Sequence, residues 1–257
     1  MKGEMGELDA ANDDLDGRTL LVLVAGDALR EVAAVHGEFT QWIERACPGW
    51  TGAWVLHDLR SSEPLPDCRS VAGIVITGSA SSVTERAPWM LRAEAYVREI
   101  ASAETPLLGI CFGHQLMAQA LGGDVQRNPN GREIGTIEVT KVGDDPLFDG
   151  LDETFIANAT HVDSAVVLPP AARIIATTAL EPCAAVDFGP GLRGVQFHPE
   201  FDAGVMRGYL TVRRPLLVEE GLDADAKLAG ALDTPSGSTI LGNFIRAFVL
   251  APARRAA

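Results

Sequence analysis

The chain has 257 residues, with 35 acidic against 21 basic side chains and a formal net charge of −14. That acid excess excludes a general nucleic-acid binder, which needs clustered Lys and Arg to meet phosphate. No apolar run approaches the ~18 residues needed to cross a bilayer, so no membrane partner is expected; 47% hydrophobic content is ordinary for a globular protein with a large core.

Residues 1–17 carry six acids and one lysine. They lack the apolar stretch of a secretory signal and read as a disordered acidic tail. Residues 18–26 (RTLLVLVAG) are continuously apolar, as in a strand buried on both faces of a parallel sheet. Residues 36–47 place Phe39, Trp42, Ile43 and Ala46 at helical spacing, closed by Pro48 and Gly49. A strand follows at 50–57, then a polar, proline-containing stretch at 58–67. A third strand is read at 71–77, a helix at 88–104 with proline at its start, a strand at 106–110, and a short helix at 112–121 closed by Gly122 and Gly123.

This alternation predicts a parallel sheet covered on both faces. In the second half, segments 134–142, 154–159, 165–168, 173–178, 184–188 and 193–197 read as strands forming antiparallel extensions and return strands. Residues 202–250 read as helices around a break at 234–237, and 251–257 as a C-terminal tail. With no internal repeat or linker, residues 18–250 are expected to form one α/β domain: an open, mostly parallel central sheet with helices on both faces and antiparallel extensions. Cys47, Cys68, Cys111 and Cys183 are scattered without a CxxC pair, so neither a zinc site nor a disulfide framework is expected. The expectation is a cytoplasmic protein with reduced thiols.

One cysteine has a distinctive setting. In Leu107-Leu108-Gly109-Ile110-Cys111-Phe112-Gly113-His114-Gln115 a buried strand runs through Gly-x-Cys-x-Gly into a helix. This is the cysteine counterpart of the nucleophile elbow of serine hydrolases. The sharp turn lifts the sulfur to the carboxyl end of the sheet, where such sheets bind ligands. The following helix N-terminus favours the thiolate. The bland alternative is a small core cysteine before a helix. A cysteine nucleophile needs a base, and the base an orienting group. Of five histidines, His198 ends a strand in Gly194-Val195-Gln196-Phe197-His198-Pro199-Glu200-Phe201, with Glu200 two residues on. Alone, His-Pro-Glu is equally a surface turn; paired with the elbow it completes a Cys-His-Glu triad.

GICFGHQ followed by GVQFHPEF resembles the class I glutamine amidotransferases, and most closely stand-alone proteins similar to the amidotransferase part of GMP synthase. The resemblance runs from about residue 19 to 248 and includes IVITGSASSV, GREIG at 131–135 and THVDSAVVLP from Thr160. It implies a flavodoxin-like α/β fold and hydrolysis of the glutamine side-chain amide by Cys111, His198 and Glu200 through a γ-glutamyl thioester, releasing glutamate and ammonia without metal or organic cofactor. It also implies an oxyanion hole from the backbone N–H groups of Phe112 and Ser79, with Gly78 shaping the loop; Ser79 stands where many members have glycine. Gln115 is implied as a substrate-amide contact, against a capping or packing role in its helix. His161 and Asp163 match a motif near the α-amino and α-carboxylate groups of glutamine, against a structural role at a strand end. Glu133 matches a position near the glutamine pocket, or pairs with Arg127 or Arg132. His114 is read as packing, and Arg213 and Arg214 as a solvated basic pair.

With neither a P-loop nor a GxGxxG, the expected ammonia acceptor is a separate synthetase subunit, or there is none. Two other readings remain: a γ-glutamyl peptidase or hydrolase using the same triad on another γ-glutamyl compound, and a non-catalytic binding or regulatory protein on the same fold.

Overall fold

The continuous apolar run at the start of the chain becomes β1 (Thr19–Val24), the second strand from one edge of a nine-stranded sheet. Its side chains sort by alternation. Leu20 and Val22 join one core with Val75, Leu108 and Ile110; Leu21 and Leu23 join another with Ile74, Ile76 and Leu107. Both faces are covered, which is why the strand carries no polar alternation. The computed structural model describes residues 18–250; the tails read at 1–17 and 251–257 lie outside them.

β1 pairs in parallel with β2 (Ala53–Asp58) on one side and β3 (Gly73–Ile76) on the other. β4 (Leu107–Ile110) extends the parallel set from β3. On one face lie α3 (Pro88–Ser102) and α4 (Phe112–Ala120), whose Met90, Val97 and Leu116 fill the second core. On the other lie α2 (Phe39–Ala46) and α7 (Ser236–Phe244), through Ile43, Ile240 and Phe244.

The second half supplies β6 (Glu133–Lys141), β7 (Thr154–His161), β9 (Arg173–Thr177), β10 (Ala185–Gly189) and β11 (Leu192–Val195). The sheet order is β2-β1-β3-β4-β11-β10-β9-β6-β7. The last four strands are antiparallel extensions. β11 is different: it lies parallel to β4, with Val195 opposite Ile110. That return strand sets the end of β11 beside the end of β4.

Several boundaries differ from the sequence expectation. The helix read at 36–47 is α2, and a separate helix that the sequence reading passed over, α1 (Arg30–His36), precedes it. They break at Gly37, whose φ of 84° suits glycine, and α2 restarts on a capping box between Glu38 and Gln41. The strand read at 165–168 is β8 (Asp163–Val167). It leaves the main sheet to pair with β5 (Asp124–Arg127), a strand too short to show a pattern in sequence. The C-terminal helices are α5 (Ala203–Glu219), α6 (Ala224–Ala229) and α7, broken at 220–223 as well as before Ser236. Among the described residues no helix is long and apolar enough to cross a membrane.

Candidate active site

β4 delivers Cys111 at its carboxyl end, and the residue takes φ 50°, ψ −100° as the N-cap of α4. A non-glycine residue held there stores about 1–3 kcal/mol of strain. The flanking glycines are demanded by close approach. A Cβ on Gly109 would sit 2.5 Å from the carbonyl carbon of Gly113, and one on Gly113 would sit 2.6 Å from the carbonyl oxygen of Ile76 in β3. The elbow therefore folds back on itself and against the neighbouring strand. The Cys111 N–H donates to Val195 O at 2.8 Å, tying the elbow to the strand that leads to His198.

After β11 the chain turns. The His198 N–H donates to Asn158 O at 2.8 Å, and the Asn158 amide donates to Phe201 O at 3.0 Å, so β7 grips both sides of the His-Pro-Glu turn. His198 Nδ1 lies 2.7 Å from Glu200 Oε1, both groups being buried. The imidazole stacks on Phe201 with ring centroids 4.0 Å apart and faces Phe39 at 6.1 Å. It lines the same cavity as Cys111, and the charges of the two side chains act on each other.

The electrostatics of this pair are reciprocal. Burial alone would raise the Cys111 thiol, but the charge of His198 and its hydrogen bond, with a smaller contribution from His161, hold it below its ordinary value. Burial would lower His198, yet Glu200 and Cys111 together raise it to about 10. Each group favours the charged form of the other. The other cysteines behave oppositely: burial pushes Cys47 up to about 12 and Cys183 up to about 11.

The loop after β3 approaches from the far side. Thr77 Oγ1 accepts from the Ala25 N–H and donates to Gly78 O, both at 3.0 Å. A Cβ on Gly78 would sit 2.8 Å from His198 Cε1, so the imidazole itself requires glycine there. Among the described residues neither the Ser79 N–H nor the Phe112 N–H donates to a protein acceptor. Ser79, Ala80, Leu29, Phe39, Thr160, Tyr209 and Arg213 close a cavity over Cys111 and His198 of about 20 Å³, room for roughly one water. The roomiest hollows lie elsewhere; one of about 420 Å³ beside Tyr96 holds no paired nucleophile and base.

The remaining predicted residues form a polar layer in which Gln115, His161 and Glu133 are buried and Asp163 half-buried. Gln115 donates from Nε2 to Asp163 O at 2.9 Å and to Gln196 Oε1 at 3.0 Å, committing both amide protons inside the protein. His161 faces Asp163 O through Nδ1 at 3.0 Å and Glu133 Oε2 through Nε2 at 3.1 Å. Burial lowers its pKa, but Glu133, Cys111 and Glu181 outweigh that and raise it. The Asp163 carboxylate accepts from Ser82 Oγ at 2.5 Å. Glu133 also accepts from Thr178 Oγ1 at 2.6 Å, whereas Arg132 pairs with Glu220; the arginine partners weighed for Glu133 are not its partners. Glu181, a fully buried carboxylate that sequence reasoning passed over, accepts from Ser164 Oγ and the Cys183 N–H. His114 packs against Gly194 and Phe188, and burial drives it down to about 3.

Arg213 corrects an expectation. Read as solvated with Arg214, it instead lines the cavity over Cys111, while Arg214 is exposed and paired with Asp225. Adjacent helical residues point about 100° apart, so one can face the site and the other solvent.

Comparisons with known proteins agree with this architecture. The family described as Glutamine amidotransferase class-I matches residues 54–212. A glutamine-hydrolyzing GMP synthase of Clostridium novyi is 39% identical over 158 residues, covering 61% of this chain and 29% of that protein. The chain thus spans under a third of that relative's length. Among solved structures, a glutamine amidotransferase from Thermotoga maritima superposes with a TM-score of 0.70 at 22% identity, covering 90% of this chain and 98% of the other. A glutamine amidotransferase from Methylobacillus flagellatus gives 0.68 at 19% identity, covering 94% and 98%; at such identities the likeness is one of fold. The family match spans more than half of the chain, and with the elbow and the His-Pro-Glu turn at adjacent strand ends the protein belongs to the class I glutamine amidotransferases.

Proposed function

We propose that the chain hydrolyses the side-chain amide of L-glutamine, with Cys111 as nucleophile, His198 as acid and base, and Glu200 as its orienting partner. The observation that carries this reading is the buried Cys111–His198 pair, in which each group favours the charged form of the other, with Glu200 2.7 Å behind the imidazole. The thiolate attacks the carboxamide carbon and forms a C–S bond. The oxygen of the tetrahedral adduct becomes an oxyanion, met by the N–H groups of Phe112 and Ser79. The His198 imidazolium gives its proton to the nitrogen, the C–N bond breaks and ammonia leaves. The neutral imidazole then takes a proton from water, whose oxygen attacks the γ-glutamyl thioester. The C–S bond breaks, glutamate leaves and the ion pair is restored.

Gln115, His161 and Asp163 then shape the glutamine pocket. Since the Gln115 amide protons and both His161 ring nitrogens have protein partners, these two act by holding Asp163 and the pocket wall. The ammonia goes to a separate acceptor, a synthetase subunit by analogy with GMP synthase. Replacing Cys111 tests the assignment. Cys111→Ala abolishes ammonia release, while Cys47→Ala, Cys68→Ala and Cys183→Ala retain it; undiminished release from Cys111→Ala would sink the mechanism.

A further inference from the structure

Arg213 has no part in the reaction just described, yet it lines the cavity wall as a permanent cation. It sits on α5, half-buried, and lines the same cavity as Cys111 and His198. Two contacts fix its head. Nη1 donates to Thr160 Oγ1 at 2.5 Å, and the guanidinium carbon lies 5.3 Å from the Tyr209 ring centroid. Neither partner is an anion. Among the described residues Arg213 forms no ion pair, although Glu220 nearby is engaged by Arg132 and Asp27, the cavity's carboxylate, is held by Arg60 through two contacts of 2.8 Å. The thiolate of Cys111 is compensated by His198. A desolvated guanidinium without a counter-ion is costly, and its planar fork matches a carboxylate.

We propose that Arg213 is a specificity-determining residue that binds the α-carboxylate of the γ-glutamyl substrate. The inference rests on the reading of Cys111 as nucleophile. With the carboxamide carbon at the sulfur, the Cγ–Cβ–Cα chain carries the α-carboxylate to the wall of the same cavity. A fixed cation there selects substrates that keep a free α-carboxylate, whatever replaces the leaving amine. Thr160 and Tyr209 hold the fork in place before substrate arrives, so little side-chain ordering accompanies binding.

The test compares two reagents for Cys111 on the full chain: the diazo-ketone analogue of glutamine, and the same diazo-ketone with hydrogen in place of the α-carboxylate. Iodoacetamide measures intrinsic thiol reactivity. Alkylation of Cys111 is followed by mass spectrometry. In the wild type the carboxylate-bearing reagent is faster by on the order of 10- to 100-fold, the range for a hydrogen-bonded charge. Arg213→Gln and, independently, Arg213→Met bring the two rates together while the iodoacetamide rate stays within about twofold of wild type; a purely structural role would slow all three reagents alike. Equal rates in the wild type, or undiminished preference in both variants, overturn the proposal and leave the nucleophile assignment standing. Failure of the carboxylate-bearing diazo-ketone to select Cys111 over the other thiols in the wild type overturns both.

Discussion

At the scale of single residues, the polarised pair makes a pH prediction with a definite sign. Cys111 is depressed below its ordinary thiol value and His198 is raised to about 10. The ion pair therefore persists from below the ordinary thiol pKa up to about pH 10. Alkylation of Cys111 by iodoacetamide should reach its plateau at lower pH than an ordinary thiol does, and fall on the acid side as the thiolate protonates. Cys47 and Cys183, at about 12 and about 11, should stay unreactive throughout. Glu200→Gln keeps the shape of the turn but removes the carboxylate charge that raises His198. The imidazolium is then lost at lower pH and stops holding down the thiol. The alkaline end of the ion pair's range should therefore move down from about pH 10, followed as the His198 titration by NMR. An unchanged His198 titration in Glu200→Gln would remove Glu200 from its role. His198→Ala, which removes the base itself, should be more damaging to turnover than Glu200→Gln.

At the scale of elements, the site depends on where α7 meets the His-Pro-Glu turn. A Cβ on Gly237 would sit 2.0 Å from the carbonyl oxygen of Pro199. The obstacle is backbone, so the turn must move rather than a side chain rotate. Gly237→Ala should therefore lose at least about tenfold in Cys111 labelling by a glutamine-like electrophile, since small misplacements of catalytic groups cost rates of that order. The accompanying destabilisation is of the overpacking kind, about 1–3 kcal/mol, and urea unfolding with labelling on the same sample separates the two; wild-type labelling in a folded Gly237→Ala would show that the turn is not held from α7. Nothing near Gly237 in sequence announces this contact. The elbow and the His-Pro-Glu turn were legible because each is a short local pattern with its own backbone demand. The buried strands β1, β3 and β4 were legible because burial on both faces leaves a continuous apolar run. What stayed hidden depends on tertiary packing. The parallel placement of β11 beside β4 leaves no mark distinguishing it from the antiparallel strands around it. Phe39 read only as a helix core residue, although it faces His198. Arg213 read as solvated because its neighbour is, and Glu181 gave no signal because its partners come from β5–β8 and the loop before β10.

At the scale of the whole molecule, the arrangement couples a poised thiolate to a closed door. The thiol and imidazole favour each other's charged forms, yet the cavity above them holds about 20 Å³, far too little for a glutamine. Its cover comes from three separate places: Leu29 ahead of α1, Phe39 at the start of α2, and Ser79 and Ala80 in the loop after β3. The β3 loop is fixed at its root by Thr77 and pressed on by Gly26, where a Cβ would sit 2.5 Å from Ser79 Oγ. It also carries one of the two proposed oxyanion donors. A movement of that loop would open one side of the cavity and reposition the proposed donor together, a conformational step ahead of chemistry. In an amidotransferase that hands ammonia to another protein, docking of that protein is the natural trigger, because unassisted hydrolysis wastes glutamine. The isolated chain should then hydrolyse glutamine weakly while a small electrophile such as iodoacetamide still finds Cys111. Substituting the loop should separate the two properties: Ala80→Gly, which frees the cover without touching the triad, should raise glutamine turnover and leave iodoacetamide labelling unchanged. Steady-state ammonia release and mass-spectrometric labelling on one preparation decide the matter. Fast, partner-free turnover of a γ-glutamyl peptide by the wild-type chain would contradict gating and turn the assignment toward a self-sufficient γ-glutamyl hydrolase using the same Cys111, His198 and Glu200.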